Sequence, residues 1–120
     1  MTDAHPVEVA LENRLMGRGI YVTSCDRAGR NLTLEYEVVT ETDAISSHEV
    51  GLVVRTLVEL GDERTDWEPG TIRATSTTTD GAVRGTWRIE AEWFDRLHHD
   101  LSEVEFSERV LSTISHPVDE

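Results

Sequence analysis

The chain has 120 residues, of which 24 are acidic and 11 are basic, so its formal net charge is -13. All 11 of those basic residues are arginines, and lysine is absent. The single cysteine excludes a disulfide framework and a zinc site built on paired cysteines. No apolar run approaches the roughly 20 residues that a membrane span needs. The length predicts one domain over residues 1–120.

The acidic balance indicates adaptation to concentrated salt. In a chain with a net charge of -13, the acidic side chains repel one another in dilute buffer. This repulsion is screened near 1 M salt, where the Debye length is ~3 Å. Arginine retains a charged, planar head, whereas lysine exposes a long apolar stem. We therefore expect a halophilic protein. We expect no nucleic-acid partner, because phosphate backbones require a basic stripe, and no membrane partner.

The first six residues have neither a basic segment nor an apolar run, so we expect no signal peptide and a cytoplasmic location. Residues 6–18 are predicted to form a helix that starts at Pro6 and stops at Gly19. Its apolar stripe follows helical spacing: Val7, Leu11 and Leu15.

Residues 20–25 and 32–39 are predicted to form a hairpin with a three-residue loop in which Gly29 is left-handed. This register pairs Ile20 with Tyr36, and it places Cys25 on the face opposite Ile20. Residues 47–60 follow as a helix, because Ser46 and Glu49 have capping-box spacing and the apolar residues recur with helical period. A strand stays open as an alternative because the segment contains four valines. Gly61 is predicted to end the helix, and residues 61–70 are predicted to form a charged loop.

A second hairpin is centred on Asp80-Gly81, a two-residue turn signal. Counting outward predicts four pairs on the core side: Thr78 with Val83, Ser76 with Gly85, Ala74 with Trp87, and Ile72 with Ile89. That face extends to Ala91 and Trp93, while Arg84 belongs to the opposite, solvent-facing side. Trp93 to Leu101 then suggests a helical turn, and residues 101–116 a C-terminal helix with a capping box at Ser102 and Glu105.

The order α-β-β-α-β-β-α predicts an α+β fold, a two-layer sandwich whose antiparallel sheet carries the helices on one face. No residues are assigned a catalytic role. Cys25 has no histidine base placed beside it, and the acidic pairs Glu35/Glu37 and Glu90/Glu92 belong to the solvent side. His98-His99-Asp100 has metal-ligand types, but adjacent histidines diverge by about 100° on a helix, so no metal and no cofactor are expected.

The tryptophans have separate interpretations. Trp87 and Trp93 are expected in the core, and with His98 they define an alternative ligand pocket between sheet and helices. Trp67 lies in a charged loop, where it either covers an edge of the core or anchors a contact with another chain.

The segments Gly85–Trp93 and Leu101–Thr113 carry a tryptophan-flanked strand, a Leu-Ser-x-x-Glu-Phe helix entry and a Val-Leu-x-Thr sequence. This pattern resembles a small uncharacterised protein family of halophilic archaea, and the resemblance implies halophily without an activity. Residues 101–111 also resemble short C-terminal oligomerisation motifs, although Asp100 stands where those motifs have glycine.

The sequence therefore predicts a non-catalytic interaction or regulatory module that acts as a homodimer. Its predicted contact residues are Trp67, Leu101, Phe106 and Val110. The alternatives are a small-molecule or metal-binding domain and, less favoured, a winged-helix DNA binder, which lacks the additional helix and the basic wing.

Overall fold

The computed structural model describes residues 6–39 and 44–117, which form four helices and one four-stranded sheet. The elements are α1 Val7–Met16, β1 Ile20–Ala28, β2 Asn31–Val38, α2 Ser47–Glu63, β3 Ile72–Thr77, β4 Val83–Ile89, α3 Ala91–Arg96 and α4 Glu103–Ser112. The mixed α+β class is as predicted. The strand predicted to reach Ala91 and Trp93 ends at Ile89, because the chain turns into α3 at that point.

The sheet has the order β1-β2-β3-β4. Both hairpins are antiparallel, but the central pair is parallel, with Leu34 opposite Ala74. The prediction of an entirely antiparallel sheet is therefore wrong at its centre. The cause is α2, since a helical crossover returns the chain to the same end of the sheet and makes the next strand run in the same direction.

The first hairpin has a register that differs by two residues from the predicted one, and its turn has two residues instead of three. Ile20 lies opposite Val38 instead of Tyr36, and Ala28 pairs directly with Asn31 across a turn in which Gly29 has φ 63°. A bulge between Val22 and Ser24 reverses the alternation beyond it. Cys25 consequently packs against the core, contrary to the prediction from parity.

The second hairpin keeps three of its predicted pairs, Ser76–Gly85, Ala74–Trp87 and Ile72–Ile89. The fourth is wrong because the register shifts after Ser76, so that Thr77 lies opposite Val83 and Arg84 is the extra residue. Arg84 therefore points inward and is 2% exposed, whereas Val83, predicted on the core side, is 52% exposed.

The helices follow their predicted apolar faces with shifted ends. Val7, Leu11 and Leu15 are fully buried, and both capping boxes, at Ser46 and at Ser102, are present. α2 continues through Gly61 to Glu63, and α4 ends at Ser112 instead of residue 116. Over residues 6–39 and 44–117, no helix is long and apolar enough to cross a membrane.

The chain after α4 covers part of one sheet edge. Ser115 exchanges two backbone hydrogen bonds with Thr86 of β4, at 2.9 and 2.8 Å. The Thr113 hydroxyl accepts from the Arg88 backbone N–H at 2.9 Å. These bonds occupy backbone groups of β4 that an edge strand would otherwise offer to another chain.

Candidate functional site

A groove of about 340 Å³ runs between α2 and α4. Its floor is apolar and consists of Val54, Val58, Leu97 and Phe106. Its rim is polar and consists of Arg55, Glu59, Glu103 and Ser107. An apolar floor with a few polar groups at the rim is the composition typical of a binding site.

The groove is open because small residues line the contact between the two helices. Gly51 of α2 and Ser107 of α4 both line it, and apart from the neighbouring backbone of α2 no atom lies within 4 Å of the place that a Cβ on Gly51 would occupy. The same two residues also line an adjoining cavity of about 120 Å³ toward the start of α2. The two helices thus leave Val58 and Leu97 only partly buried, whereas Val54 and Phe106 are buried beneath them.

Two of the four predicted contact residues belong to this groove. Phe106 lies in its floor and Val110 lines the adjoining cavity, although both side chains are buried. The Phe106 ring packs against Phe94 at a centroid distance of 5.2 Å, which joins α4 to α3. The other two predicted residues, Leu101 and Trp67, lie in the core of the chain.

Trp67 is 3% exposed and covers the core, the first of its two interpretations. Its indole N–H donates to the backbone oxygen of Arg30 at 3.2 Å. This bond ties the loop after α2 to the turn of the first hairpin. A side chain so buried and hydrogen-bonded is not offered to another chain by this conformation.

The cation on the rim, Arg55, takes no part in the ion pairs that α2 forms. Glu59 is held by Arg18 at 2.9 Å and lies 3.7 Å from Arg14. Arg55, in contrast, forms no ion pair with any residue in 6–39 or 44–117. Val104, which follows the rim residue Glu103 in α4, is an apolar side chain that is 67% exposed.

The inner side of α2 holds a buried polar cluster, which we call the Glu49 cluster: Glu49, Arg84, Ser76, Tyr36 and Trp87. The Arg84 guanidinium donates to Glu49 Oε1 at 2.8 Å and to Ser76 Oγ at 2.9 Å. Glu49 Oε2 accepts from Tyr36 at 2.8 Å and from Ser76 at 2.9 Å. The Trp87 indole N–H donates to the Tyr36 hydroxyl at 2.9 Å.

This cluster is satisfied internally. Glu49 also accepts from the Ser46 backbone N–H at 3.0 Å, so the capping-box carboxylate and the buried ion-pair carboxylate are the same group. None of the cluster's buried side-chain atoms lacks a partner. Burial and the adjacent Glu49 charge raise the pKa of Tyr36 well above its usual value. A cluster so enclosed fixes α2 on the sheet and presents no group to a substrate.

Sequence reasoning missed the Glu49 cluster because strict alternation placed Arg84 in solvent. The sequence did contain a signal, because Gly85 follows Arg84 within the predicted strand. In the structure, a Cβ on Gly85 would lie 2.7 Å from Ile45 Cδ1 and from the Ser115 backbone oxygen. A glycine required by close approach of neighbouring groups often marks a bulge.

His98 lies outside the groove just described, with φ 71° and an exposed side chain. It lines a depression of about 230 Å³ with Asp62, Glu68 and Asp95. Neither Trp87, which is in the core, nor Trp93, which is half-buried in α3, lines that depression. In the depression that His98 lines, the three residues of the predicted pocket are therefore not brought together. Within the described ranges, no group of three or more His, Cys, Asp or Glu side chains is arranged to hold a metal ion.

Cys25 of β1 is half-buried against the core, and burial together with the charges of Glu8 and Asp26 raises its pKa to about 11. At neutral pH the side chain is therefore almost entirely the thiol, the unreactive form. This environment fits an incidental structural cysteine.

The fold and the groove define the class: a small α+β domain with a groove of apolar floor between two helices. The chain belongs to the family described as Domain of unknown function (DUF8159), whose model matches residues 1–120. This agrees with the resemblance to an uncharacterised family. Comparison with curated proteins gave no match, and comparison with solved structures gave none either.

Proposed function

We propose that this protein is a non-catalytic interaction module that acts as a homodimer, and that the groove between α2 and α4 is where the second copy docks. The observation that carries the proposal is the groove of about 340 Å³, open at Gly51, in whose floor Val58 and Leu97 are only partly buried; Val104, next to the rim residue Glu103 along α4, is exposed. Apolar surface of this kind gains free energy when a partner removes it from water.

Charge as well as apolar surface favours a second copy as the occupant of the groove. α4 carries Glu103, Glu105 and Glu108, whereas Arg55 on the α2 rim forms no ion pair with another described residue of its own chain. In a two-fold arrangement the same patch contributes both sides, so each Arg55 faces acidic residues of the other α4. Val104 of each copy then covers the apolar floor of the other.

The same proposal accounts for the charge. We infer a halophilic, archaeal and cytoplasmic protein in which concentrated salt screens the -13 charge of each copy and allows two copies to approach. We also infer a two-layer arrangement, with the helices forming the interacting layer. The burial of alternate residues in β2 supports it: Leu32, Leu34 and Tyr36 are buried, while Thr33 and Glu35 are exposed.

Sedimentation equilibrium in about 2 M KCl tests the proposal. The wild type is expected at twice 13.5 kDa. Gly51→Phe is expected to shift the protein to the monomer, because its ring occupies the groove without meeting an atom of its own chain at Cβ. Gly51→Ala is the matched control, since a methyl group leaves most of the groove open, and it is expected to remain a dimer.

A second pair of variants addresses Val104. Val104→Gln is expected to weaken the dimer by about 10-fold, the equivalent of ~1.4 kcal/mol from the buried apolar side chain. Met16→Gln alters a comparably exposed apolar residue on α1 and is expected to leave the dimer unchanged. A monomer at micromolar to millimolar concentrations overturns the proposal. If that monomer binds an apolar dye in the groove, the small-molecule alternative replaces it.

A further inference from the structure

The groove between α2 and α4 adjoins the depression that His98 lines. Val58 and Leu97 line both cavities. His98 Nε2 also lies 3.7 Å from Oε1 of Glu103, which belongs to the rim of the groove. The His98 side chain is exposed, so it is accessible to a proton and to a partner. An occupant of the groove would therefore come close to a group that can change its charge.

The surroundings of His98 are acidic on balance. The carboxylates that line the groove and the depression outnumber the cations that line them: Glu59, Asp62, Glu68, Asp95 and Glu103 against Arg30 and Arg55. Ion pairs reduce this excess but do not remove it, since Arg18 lies 2.9 Å from Glu59 and Arg30 lies 3.5 Å from Asp95. A positive charge on His98 is therefore attracted by its own chain, and further carboxylates would add to that attraction.

A second copy in the groove brings such carboxylates. The proposed arrangement places Val104 of one copy over Val58 and Leu97 of the other, next to His98. The three carboxylates of that incoming α4 outnumber the two cations that accompany them: Glu103, Glu105 and Glu108 against Arg109 and the Arg55 of the same copy. Two charged neighbours of His98 along its own chain pair with each other at 3.0 Å: Arg96 and Asp100. Dimerisation therefore increases the negative charge around His98.

We propose that the dimer is regulated by pH and that His98 is the sensor, whose protonation strengthens the contact between the two copies. Histidine is the side chain that gains a positive charge between about pH 8 and pH 5. Because carboxylates of both copies surround His98 in the dimer, the dimer binds this proton more tightly than the monomer does. By thermodynamic reciprocity, the two copies then associate more tightly as the pH falls. This inference rests on the proposed function, because it requires the second copy in the groove.

The backbone at His98 determines which variant tests the proposal. Its conformation is left-handed, with φ 71°, and its N–H donates to the Leu101 backbone oxygen at 3.0 Å. Asparagine adopts this conformation more readily than most residues other than glycine. His98→Asn therefore removes the titratable ring with little backbone strain. His99→Asn is the matched control, because His99 is an adjacent exposed histidine that lines neither of the two cavities.

Sedimentation equilibrium in about 1 M KCl at about pH 8 and about pH 5.5 measures the effect. At this salt the ~3 Å Debye length screens the net charge of the two copies, so contacts at close range dominate. The Kd of the wild-type dimer is expected to fall about 10-fold on acidification, which is about threefold for each of the two exposed histidines. His99→Asn is expected to respond like the wild type, whereas His98→Asn is expected to keep nearly the same Kd.

The NMR signals of the histidine rings give a readout that a purely structural role would not change. At a fixed pH of about 6.5, the His98 ring is expected to become more protonated as the protein concentration rises through the Kd, while the His99 ring stays unchanged. An unchanged wild-type Kd, a dimer that weakens on acidification, or an equal response in His98→Asn would overturn this inference and leave the proposed dimer standing. A monomer at both pH values would overturn the dimer and the inference together.

Discussion

The two sides of α2 are organised in opposite ways. On the inner side, Glu49 and Arg84 are 3% and 2% exposed, and every polar group of the Glu49 cluster has a partner. On the side facing α4, Gly51 leaves a cavity in which apolar side chains remain accessible. The polar side is closed to solvent and its hydrogen bonds are all formed, whereas the side facing α4 has space that no side chain of the protein fills.

This difference separates structural from functional residues. A buried charge pair is tolerated only when its hydrogen bonds are satisfied, so the Glu49 cluster is explained by the fold itself. The groove has no such internal explanation, because a larger residue at Gly51 would fill space and increase helix propensity. We therefore assign a structural role to the Glu49 cluster and a binding role to the groove, and the following variants test this difference.

Arg84→Met is expected to have the largest effect. It leaves the Glu49 carboxylate buried without its cation, and such losses cost about 3–5 kcal/mol in the free energy of unfolding. Urea denaturation in KCl measures the change. Arg88→Met, on the exposed side of the same strand, is the control and is expected to change stability by less than about 1 kcal/mol. Equal effects of the two variants would show that the Glu49 cluster does not hold α2.

Tyr36→Phe is expected to cost about 1–3 kcal/mol, because its hydroxyl donates to Glu49 and accepts from Trp87. It also alters the response to alkali. The pKa of Tyr36 is raised in the folded state, so unfolding releases its proton above the usual pKa near 10, and stability falls as the pH rises beyond that value. Unfolding measured between pH 9 and pH 11 is expected to show a shallower loss in the variant. An unchanged slope would contradict the burial of this hydroxyl.

Two glycines of α2 give a matched pair with smaller effects. Gly51→Ala is expected to stabilise the free protein by about 0.5–1 kcal/mol through helix propensity, because its Cβ meets no atom within 4 Å. At Gly61 the Cβ would lie 2.7 Å from Pro69 Cγ, so Gly61→Ala is expected to be destabilising or at best neutral. Thermal unfolding distinguishes them. If both alanines stabilise equally, the loop at Pro69 does not pack against α2 as described.

Much of the fold could be predicted because local signals agreed with it. The capping boxes at Ser46 and Ser102 and the turn at Asp80-Gly81 located two helices and a hairpin. Arg84 could not be placed, since one inserted residue at a bulge reverses the face of a strand. The parallel pairing of β2 with β3 was equally hidden, because it depends on where the α2 crossover delivers the chain.

Only part of the candidate site could be predicted from the sequence. Phe106 and Val110 followed from the apolar stripe of α4, and both line the cavities between α2 and α4. The importance of Gly51 did not follow, because a glycine within a helical pattern does not reveal which neighbour it leaves uncovered. Trp67 was open to two interpretations, since the contact with the Arg30 carbonyl is made across 37 residues of sequence.

Intermolecular distances across the groove test the central claim most directly. A mixture of isotope-labelled and unlabelled protein in concentrated KCl allows nuclear Overhauser effects to be recorded between copies only. The account predicts contacts between the Val104 methyl groups of one copy and Val58 or Leu97 of the other. A dimer with intermolecular contacts at β1 or at the exposed face of β3 and β4 and none at the groove, or a monomer with none at all, would contradict it.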